Sequence, residues 1–234
     1  MTTTRLTKVL LINNEPVKNI VSDTVQLDLF SPGRAIFTVI CEQEPKGLVE
    51  LQLGYKTSEL TPYFLGVIES KHQIKNQWIL TCRELIGALS FYVPISIRFA
   101  TAEQVLANIA ELGIEFIIPN EEYMKTPVAC FYHSGNGISA LKQLGKIYQI
   151  ENYIFQQQNN GKIYVGSWDH SPWAQETIEN FDESVINVKN ATNGECVAIP
   201  KLRPGIKINN RYITETTLTG NKQGLKWSKV IYDA

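Results

Sequence analysis

The stretch Gly47-Leu48-Val49-Glu50-Leu51-Gln52-Leu53 carries an apolar residue at every second position. Because successive side chains of an extended chain point to opposite faces, this alternation buries one face and leaves the other in water. Thr24-Val25-Gln26-Leu27-Asp28-Leu29 repeats the pattern, and turn sequences at Ser31-Pro32-Gly33 and Glu44-Pro45-Lys46-Gly47 separate the runs. The sequence therefore predicts short antiparallel β-strands joined directly to their neighbours.

The strand pattern continues through residues 63–70 and 77–82, with Lys75-Asn76 as the predicted turn between them. About five strands at this spacing indicate a small sandwich or barrel. We therefore assign residues 1–98 to a first β unit of this kind.

After residue 100 the hydrophobic period changes to that of a helix. Thr101-Ala102-Glu103-Gln104 is a capping box that starts a helix, and Gly113 ends it in a left-handed conformation. A second helix is predicted over 138–148, with Asn136 as its cap. Strands are predicted around these helices at 114–118, 128–132, 153–157 and 162–165. We assign residues 99–168 to an α/β insert with two helices.

The last third of the chain returns to strand-like patterns. Strands are predicted at 184–188, 195–199, 206–208, 211–218 and 225–231, with turns at Asn209-Asn210 and 221–224. Residues 169–234 form a second small β unit in this prediction; its core is thin, and borrowing strands from the insert is one way to complete it. The predicted fold class is α+β and mainly β, with two small antiparallel β units and an α/β insert between them.

The composition is that of a globular protein. Of 234 residues, 44% are hydrophobic and 19% are charged, which excludes an intrinsically disordered chain. No apolar run approaches the ~20 residues of a membrane helix, and the first residues lack the apolar region of a signal peptide, so we expect no membrane anchor and a cytoplasmic protein. The four cysteines lie apart inside apolar runs and are expected to be buried thiols: Cys41, Cys82, Cys130 and Cys196.

The formal net charge of -1 conceals an uneven distribution. Residues 101–200 hold five Lys/Arg against twelve Asp/Glu, whereas residues 201–234 hold seven against two. A nucleic acid partner needs a concentrated basic face, so we expect no specific nucleic acid binding. Solvated strand faces explain such a split most simply, but it is also suited to orienting one subunit against another.

Gly135-Asn136-Gly137-Ile138-Ser139-Ala140 has the spacing of a dinucleotide-binding loop between a strand and a helix. Such a site also needs an acidic residue at the end of the next strand, where this chain has Gln156-Gln157-Gln158. Asn159-Asn160-Gly161 then predicts a hairpin, whereas the dinucleotide fold continues with a crossover helix. We interpret the motif as a loop and helix cap, and we expect no cofactor.

The histidines, cysteines and carboxylates do not predict a catalytic or metal site. His133 and Ser134 are adjacent in a strand-end loop and point to opposite faces, and His72 and His170 lie in polar segments predicted to be surface loops. Cys130 and His133 supply at most two metal ligands, so a buried thiol beside a surface imidazole is the favoured interpretation. Two acidic pairs are expected to be solvated: Glu121-Glu122 and Asp182-Glu183. We predict no catalytic, cofactor-binding or metal-binding residues.

Short motifs follow one another along the chain in a recognisable order. They are Leu51-Gln52-Leu53-Gly54-Tyr55, Phe64-Leu65-Gly66-Val67-Ile68, Trp78-Ile79-Leu80-Thr81-Cys82-Arg83-Glu84-Leu85, Thr101-Ala102-Glu103-Gln104-Val105-Leu106, Ala140-Leu141-Lys142-Gln143-Leu144-Gly145-Lys146-Ile147-Tyr148, Gly161-Lys162-Ile163-Tyr164-Val165-Gly166 and Ile199-Pro200-Lys201-Leu202-Arg203-Pro204-Gly205-Ile206-Lys207-Ile208. In this order they resemble the baseplate hub proteins of contractile-tailed bacteriophages, the late-control or tail-protein family. The hub portion of type VI secretion spike proteins is a related resemblance.

The resemblance implies a structural assembly protein without catalysis, the hub that joins a tail tube to a spike in a phage or phage-like contractile tail. It implies that the two β units are small antiparallel β-barrels, the first β-barrel at residues 1–98 and the second β-barrel at residues 169–234, with the α/β insert between them. It also implies a homotrimer in which these two similar barrels per chain make a pseudo-sixfold ring, with tail tube and spike proteins as partners. The expected location is the cytoplasm during assembly and then the virion or tail particle. No spike module follows the second barrel in this sequence, so the resemblance implies a separate spike chain or a truncated hub.

The alternative hypothesis is a small-barrel binding module for single-stranded nucleic acid or glycan. Its aromatic platform would be Tyr212 and Trp227 in the basic end, or the loop containing Trp168 and Trp173. Aromatic residues that hold a loop against a core are the commoner case. An enzyme ranks third because no titratable pair has both the spacing and the loop context for chemistry.

Overall fold

The computed structural model describes residues 5–231, and strands hold 48% of the residues while helices hold 19%. The prediction of an α+β, mainly β chain is confirmed at this level. Seven strands come first: β1 (Thr7–Ile12), β2 (Glu15–Pro16), β3 (Asn19–Asp28), β4 (Arg34–Ile40), β5 (Leu48–Gly54), β6 (Thr61–Ile74) and β7 (Gln77–Glu84).

The helices are concentrated in the middle of the chain. The elements there are β8 (Ile95–Ala100), α1 (Ala102–Ala110), β9 (Phe116–Ile117), α2 (Glu122–Lys125), β10 (Val128–His133), α3 (Gly137–Ile147), β11 (Tyr153–Gln157) and β12 (Ile163–Ser167). The last part contains α4 (Pro172–Gln175), β13 (Asn187–Asn190), β14 (Asn193–Val197), β15 (Lys207–Ile208), β16 (Arg211–Thr219) and β17 (Lys222–Ser228). Within residues 5–231, no helix has the length and apolar character needed to cross a bilayer.

Twelve strands form one sheet, in the order β13-β14-β17-β16-β3-β4-β7-β6-β5-β1-β2 with β15 beside β16. Strands β16 and β3 pair antiparallel, placing Leu218 opposite Val25, so the first and last groups of strands share a continuous sheet. Over the described residues this path runs from edge to edge without closing into a barrel. Two smaller sheets, β8-β10 and β11-β12-β9, belong to the middle of the chain.

Three clusters of buried apolar side chains underlie these sheets. The first lies under β1–β7 and includes Phe37, and it also takes Leu218 from β16. The second lies between the helices and the two small sheets, around Leu141 and Phe131. The third packs Trp227 of β17 with side chains of the middle segment, among them Ile154 and Tyr164 of β11 and β12. The last strands therefore complete their core with residues from the middle of the chain.

The local signals for the helices are confirmed. Thr101 accepts a hydrogen bond from the Gln104 backbone N–H, and the Gln104 side chain accepts one from the Thr101 N–H. Gly113 follows α1 with φ of +86°. Asn136 caps α3 by accepting from the Ser139 N–H at 2.8 Å. These contacts depend on residues three positions apart, which is why sequence alone located them.

Several predictions for the β elements are wrong in position. Asn221 follows Gly220 in the turn before β17, so most of the predicted turn at 221–224 is strand. The strand predicted at 184–188 begins instead with a 3-10 helix, Glu183–Val185. Strands β1, β4 and β8 carried no strand prediction. Strand β4 pairs with its chain neighbour β3 and with β7, whereas β1 pairs with β5 and β8 pairs with β10. Pairing and packing against these neighbours decide strand conformation more than local propensity does.

A buried ion pair joins the three parts of the chain. The Arg203 guanidinium lies 3.2 Å from the Glu84 carboxylate at the end of β7, and both side chains are buried. Arg203 also donates to the backbone carbonyls of Tyr63 and Gln157, which belong to β6 and β11. The second carboxylate oxygen of Glu84 accepts from the Gly33 N–H at 2.7 Å. One arginine from the last third thus contacts both earlier parts.

A second polar network reinforces the contact between the first and last strands. The Tyr63 hydroxyl lies 3.1 Å from the Thr216 hydroxyl and accepts from the Gln223 amide at 3.1 Å. The same Gln223 amide donates to the Leu202 carbonyl at 2.9 Å, and its oxygen accepts from Ile199 N–H at 2.8 Å. Buried polar groups are costly unless hydrogen-bonded, so this network specifies how β6, β16 and β17 meet.

We expect Gly66→Ala to destabilise the protein by about 1–3 kcal/mol. Gly66 in β6 lies where a Cβ would overlap the carbonyl oxygen of Arg83 in the neighbouring strand β7. Urea denaturation followed by circular dichroism measures the change. Gly224→Ala is the matched control, because a Cβ there meets its nearest neighbour at an ordinary 3.7 Å. Equal stability of the two variants would contradict the steric argument.

We expect Arg203→Met to destabilise the protein by about 3–5 kcal/mol at pH 7, because the Glu84 carboxylate is left buried without its cation. Burial raises the pKa of Glu84 above its ordinary value, and the charge of Arg203 is the largest influence that opposes this rise. A carboxyl group whose pKa is higher in the folded state contributes less to the free energy of unfolding as pH rises. This loss occurs between its unfolded-state pKa and its folded-state pKa. The difference in free energy of unfolding between the wild type and Arg203→Met should therefore shrink as pH falls from 7 toward 4.5, the ordinary pKa of a glutamate.

Arg211→Met provides the matched control for this experiment. Arg211 lies 3.7 Å from Glu183, and both side chains are exposed. Exposed pairs of this kind contribute less than about 1 kcal/mol. Urea titrations of both variants at pH 5 and pH 7 make the comparison. The claim that Arg203 stabilises the buried Glu84 carboxylate would be contradicted in two cases. In one, Arg203→Met loses no more stability than Arg211→Met; in the other, its loss of stability grows at lower pH.

Candidate assembly surfaces

Four aromatic side chains are strongly exposed: two lie on the small β8-β10 sheet and two lie in the segment just before β8. Phe91 is 77% exposed, Tyr92 68%, Phe99 75% and Tyr132 65%. Every other aromatic residue in the described part of the chain is buried or partly buried. We call these four residues the aromatic surface. Contiguous exposed apolar groups of this size mark interaction sites more often than chance.

Strands β8 and β10 position this surface. They pair antiparallel with Arg98 opposite Cys130 and Ser96 opposite Tyr132. The alternate residues, including Phe131, face the core between the helices. The outer face carries Tyr132 together with Ser96, Arg98 and Cys130, all of which are exposed. Cross-strand pairs therefore hold Tyr132 beside the charged Arg98 on an uncovered sheet face.

Backbone geometry presents Phe99 and Tyr92 to solvent. Phe99 has a φ of +50°, a conformation that is rare for a bulky residue and costs about 1–3 kcal/mol. The strand turns at this point, and Phe99 is exposed where the alternation of β8 would bury it. The Tyr92 hydroxyl lies 3.2 Å from the Ser134 hydroxyl, and Val93 N–H donates to Gly135 carbonyl at 2.7 Å. Strain at an exposed residue is typical of functional surfaces.

The small sheet has open edges. Among residues 5–231, neither β8 nor β10 pairs with a third strand. Unpaired strand edges offer free backbone donors and acceptors, and proteins usually cover or charge them. Arg98 is the only permanently charged residue in the two strands. In the described part of the chain, the uncovered edges of β8 and β10 therefore lie on the same small sheet as the exposed Phe99 and Tyr132.

A concave apolar region lies elsewhere on the molecule. A groove of about 780 Å³ separates the end of β5 and the residues after it from the segment 181–201. We call it the apolar groove. Its apolar lining consists of Tyr55, Phe181, Val185, Val197, Ile199 and Pro200. The Tyr55 hydroxyl donates to the Ala198 carbonyl at 2.7 Å, which joins the two walls.

The glycine-rich motif is a loop and helix cap, as predicted. The Gly135 carbonyl accepts from Val93, and Asn136 caps α3. Strand β11 continues into β12 as an antiparallel hairpin, with Phe155 opposite Val165. A dinucleotide fold would place a crossover helix and a parallel strand there. The structure therefore gives this motif a local structural role.

The predicted pairing of a buried Cys130 with a surface His133 is wrong in both respects. Cys130 is exposed on the outer face of β10, whereas His133 is buried. The His133 ring nitrogens lie 2.6 Å from the Gln143 side-chain oxygen and 3.0 Å from the Asn136 carbonyl. Parity along the strand decides this outcome, because residues 131 and 133 face inward and 130 and 132 face outward.

The other two histidines also differ from the prediction of mobile surface loops. His72 lies in the long strand β6 and is exposed. His170 stacks on Tyr123, with ring centroids 5.8 Å apart, and its Nδ1 lies 3.0 Å from the Tyr123 hydroxyl. Within residues 5–231, no group of three His, Cys, Asp or Glu side chains is arranged to hold a metal ion.

The tryptophans proposed for a stacking platform are core residues. Trp168 is buried and donates to the Gly205 carbonyl at 2.7 Å, and Trp173 is buried against Tyr164. Trp227 is also buried and donates to the Ala191 carbonyl at 2.8 Å. Stacking on a base or sugar needs an exposed ring face, which these three side chains do not offer.

Most charges of the basic end are neutralised within the chain. Exposed pairs join Lys226 to Glu215 at 2.7 Å and Lys222 to Glu195 at 3.2 Å. Arg211 lies 3.7 Å from Glu183, and Arg203 forms the buried ion pair with Glu84. The excess of seven basic residues over two acidic ones in 201–234 therefore does not form a free cationic face.

Sequence analysis missed both the aromatic surface and the apolar groove. Phe91, Tyr92 and Tyr132 resemble core residues by composition. The parity of β10 exposes Tyr132, whereas Phe91 and Tyr92 lie in the irregular segment between a 3-10 helix and β8. The positive φ of Phe99 carries no sequence signal, because glycine or asparagine is the usual residue in that conformation. The groove joins residues more than a hundred positions apart, which local patterns do not detect.

We expect Cys130, the exposed thiol, to react fastest with 5,5′-dithiobis(2-nitrobenzoic acid) in dilute native protein. Cys41, which is partly buried rather than buried as predicted, should react more slowly, because burial raises the pKa of its thiol. Burial raises the pKa of Cys82 to about 12 and that of Cys196 to about 11, with smaller contributions from nearby carboxylates. Both buried thiols should react at least about a hundredfold more slowly than Cys130, until the protein is unfolded. Cys130→Ser is the control that should remove the fast phase. Survival of the fast phase in that variant would contradict the assignment.

Comparisons with known proteins identify relatives of this fold. No family model matches the sequence. An uncharacterized 58.7 kDa protein of Haemophilus phage HP1, from its lys 3′ region, is 28% identical over 219 residues. The alignment covers 93% of this chain but 41% of the phage protein, so the chain spans about two fifths of its relative.

Three solved structures match almost the whole chain. The 43 kDa tail protein of prophage MuSo2 from Shewanella oneidensis has a TM-score of 0.69 at 10% identity, covering 96% of this chain and 98% of that protein. A tail protein from Neisseria meningitidis has a TM-score of 0.67 at 10% identity, covering 95% and 96%. A type VI secretion component of Escherichia coli is described as structurally similar to the bacteriophage T4 tail proteins gp27 and gp5. It matches with a TM-score of 0.61 at 11% identity, covering 98% of this chain and 79% of that protein. The chain therefore has the fold of prophage tail proteins and of this type VI secretion component, which confirms the resemblance inferred from its motifs.

Proposed function

We propose that the chain is a structural hub protein of a phage or phage-like contractile tail, where it joins the tail tube to the spike. The observation that carries the proposal is the match of 96% of this chain to 98% of a prophage tail protein, together with detectable sequence similarity to a phage protein. Because the match extends over nearly the whole of both chains, the two proteins share the overall arrangement of their strands and helices and not only one common motif.

In this proposal the two groups of strands act as the two β-barrels of a hub. The first β-barrel is residues 1–98, the insert is 99–168 and the second barrel is 169–234. The separate core clusters of the first and middle parts support these divisions. The pairing of β16 with β3 supports a fixed relation between the two barrel units, which a ring of repeated units requires.

The protein acts in this proposal by binding other chains and not by catalysis. Its most strongly shifted tyrosines owe their raised pKa to burial in the core, as at Tyr153 and Tyr164. His133 is enclosed by Gln143 and Asn136. These groups are explained by packing, and the exposed apolar features are surfaces suited to partners. The partners are two further copies, a tail tube protein and a spike protein, in the assembled virion or tail particle.

Sedimentation of the purified chain tests the proposal. We expect a species with the mass of three 26.4 kDa chains at micromolar concentration, either alone or after addition of the spike protein of the same particle. Negative-stain images of that species should show a ring with a central channel. A chain that remains monomeric alone and with both the spike and tube proteins would contradict the proposal.

A further inference from the structure

We propose that the aromatic surface of one copy docks into the apolar groove of the next copy. The contact would join Phe91, Tyr92, Phe99 and Tyr132 of one chain to the groove walls around Val185 and Val197 of its neighbour. The inference rests on the proposed function, because it names the surfaces through which the hub closes its ring. It assigns the occupant of both surfaces as a second copy of this chain.

The exposed area is sufficient for a subunit contact. Each aromatic side chain has about 150–250 Å² of surface. At two thirds to three quarters exposure, four of them present on the order of 500–600 Å² of largely apolar surface. A standard interface buries about 800 Å² on each partner, so the aromatic surface supplies most of one side. The backbone and Arg98 of the adjoining strands supply the rest.

Symmetry decides that the aromatic surface meets a different surface. A patch that contacts its own copy generates a twofold dimer, which is a closed unit. A ring of three requires a head-to-tail contact, in which each copy offers one surface forward and another backward. The aromatic surface and the apolar groove share no residue and lie on different elements, so one copy can offer both.

Shape and side-chain chemistry match across the proposed contact. The aromatic surface projects from a sheet face, and the apolar groove is concave with two exposed valines, Val197 at 65% and Val185 at 52%. Buried aromatic anchors in apolar pockets carry much of the binding energy in protein interfaces.

Charge is also complementary at the margin of the contact. Arg98 accompanies the aromatic surface. The groove lining within residues 5–231 offers no free negative charge, because Glu59 is paired with Lys56 at 2.8 Å and Lys201 lines the groove as well. The segment 176–183, which enters the groove at Phe181, carries four further carboxylates: Glu176, Glu179, Asp182 and Glu183. This acidic margin favours the approach of a surface that carries an arginine.

A pair of variants tests the contact. Phe91→Ser/Tyr132→Ser removes half of the aromatic surface, and Val197→Glu places a charge in the groove. Neither change alters a buried side chain. Each variant alone should raise the concentration needed for trimer formation by at least about tenfold in sedimentation velocity, because each removes central apolar contacts. Ile36→Glu, in an exposed position of β4 outside both surfaces, is the control and should assemble like the wild type.

Mixing the two variants identifies which surfaces meet. The groove of the aromatic-surface variant and the aromatic surface of the groove variant are both intact, so one contact can form. We expect the mixture to yield a heterodimer, while each variant alone stays monomeric at the same concentration. The Cys130 thiol of the Val197→Glu chain should react more slowly with 5,5′-dithiobis(2-nitrobenzoic acid) in the mixture than alone, because the contact covers it.

The outcomes separate this inference from the proposed function. Trimers formed by either folded variant at wild-type concentrations would overturn the docking contact and leave the hub proposal standing. Monomeric variants whose mixture forms no dimer would also overturn the contact, because the two surfaces would then bind other partners. A wild-type chain that remains monomeric with the spike and tube proteins would overturn both. Circular dichroism melts of each variant confirm that it is folded.

Discussion

The buried pair of Arg203 and Glu84 is the constraint on which the arrangement of the chain depends. A charge without a partner in this interior would cost several kcal/mol, so the two side chains must come together whenever the chain folds. Arg203 also donates to the carbonyls of Tyr63 and Gln157, which lie in different sheets. The first strands, the middle segment and the last third are therefore oriented by a single guanidinium. Removing one partner leaves a buried charge and is destabilising, whereas replacing both partners by apolar residues of similar volume is often neutral.

The continuous sheet occurs at the same junction. Arg203 lies against the end of β7, strand β16 pairs with β3, and hydrogen bonds among Tyr63, Thr216 and Gln223 join the two groups of strands. The two groups of strands become one body. The small β8-β10 sheet lies outside this network, keeps its edges open and carries a strained Phe99 with its aromatic neighbours. The buried polar contacts of Arg203 and Gln223 thus lie in one part of the chain, and the exposed aromatic surface lies in another.

Sequence reasoning succeeded where a contact joins residues close along the chain. The capping box at Thr101, the Asn136 cap and the turns near Asn160 and Asn209 all involve neighbours within a few positions. It failed where the partners are distant. Arg203 and Glu84 are separated by 119 positions, and no local pattern connects them. The exposed Cys130 and buried His133 show a third case, in which the strand was predicted correctly but its parity relative to the core was not.

The sequence by itself determined the mainly β character, the positions of the two principal helices and the family resemblance, because periodicity and capping are properties of short segments. Only the tertiary structure decided which strands share a sheet, which histidines and cysteines are buried, and that four of the seven basic residues in 201–234 are paired with carboxylates. It also decided which aromatic residues are exposed. These outcomes depend on long-range pairing, where the free energy of a buried contact outweighs local preference and assigns each strand its inner face.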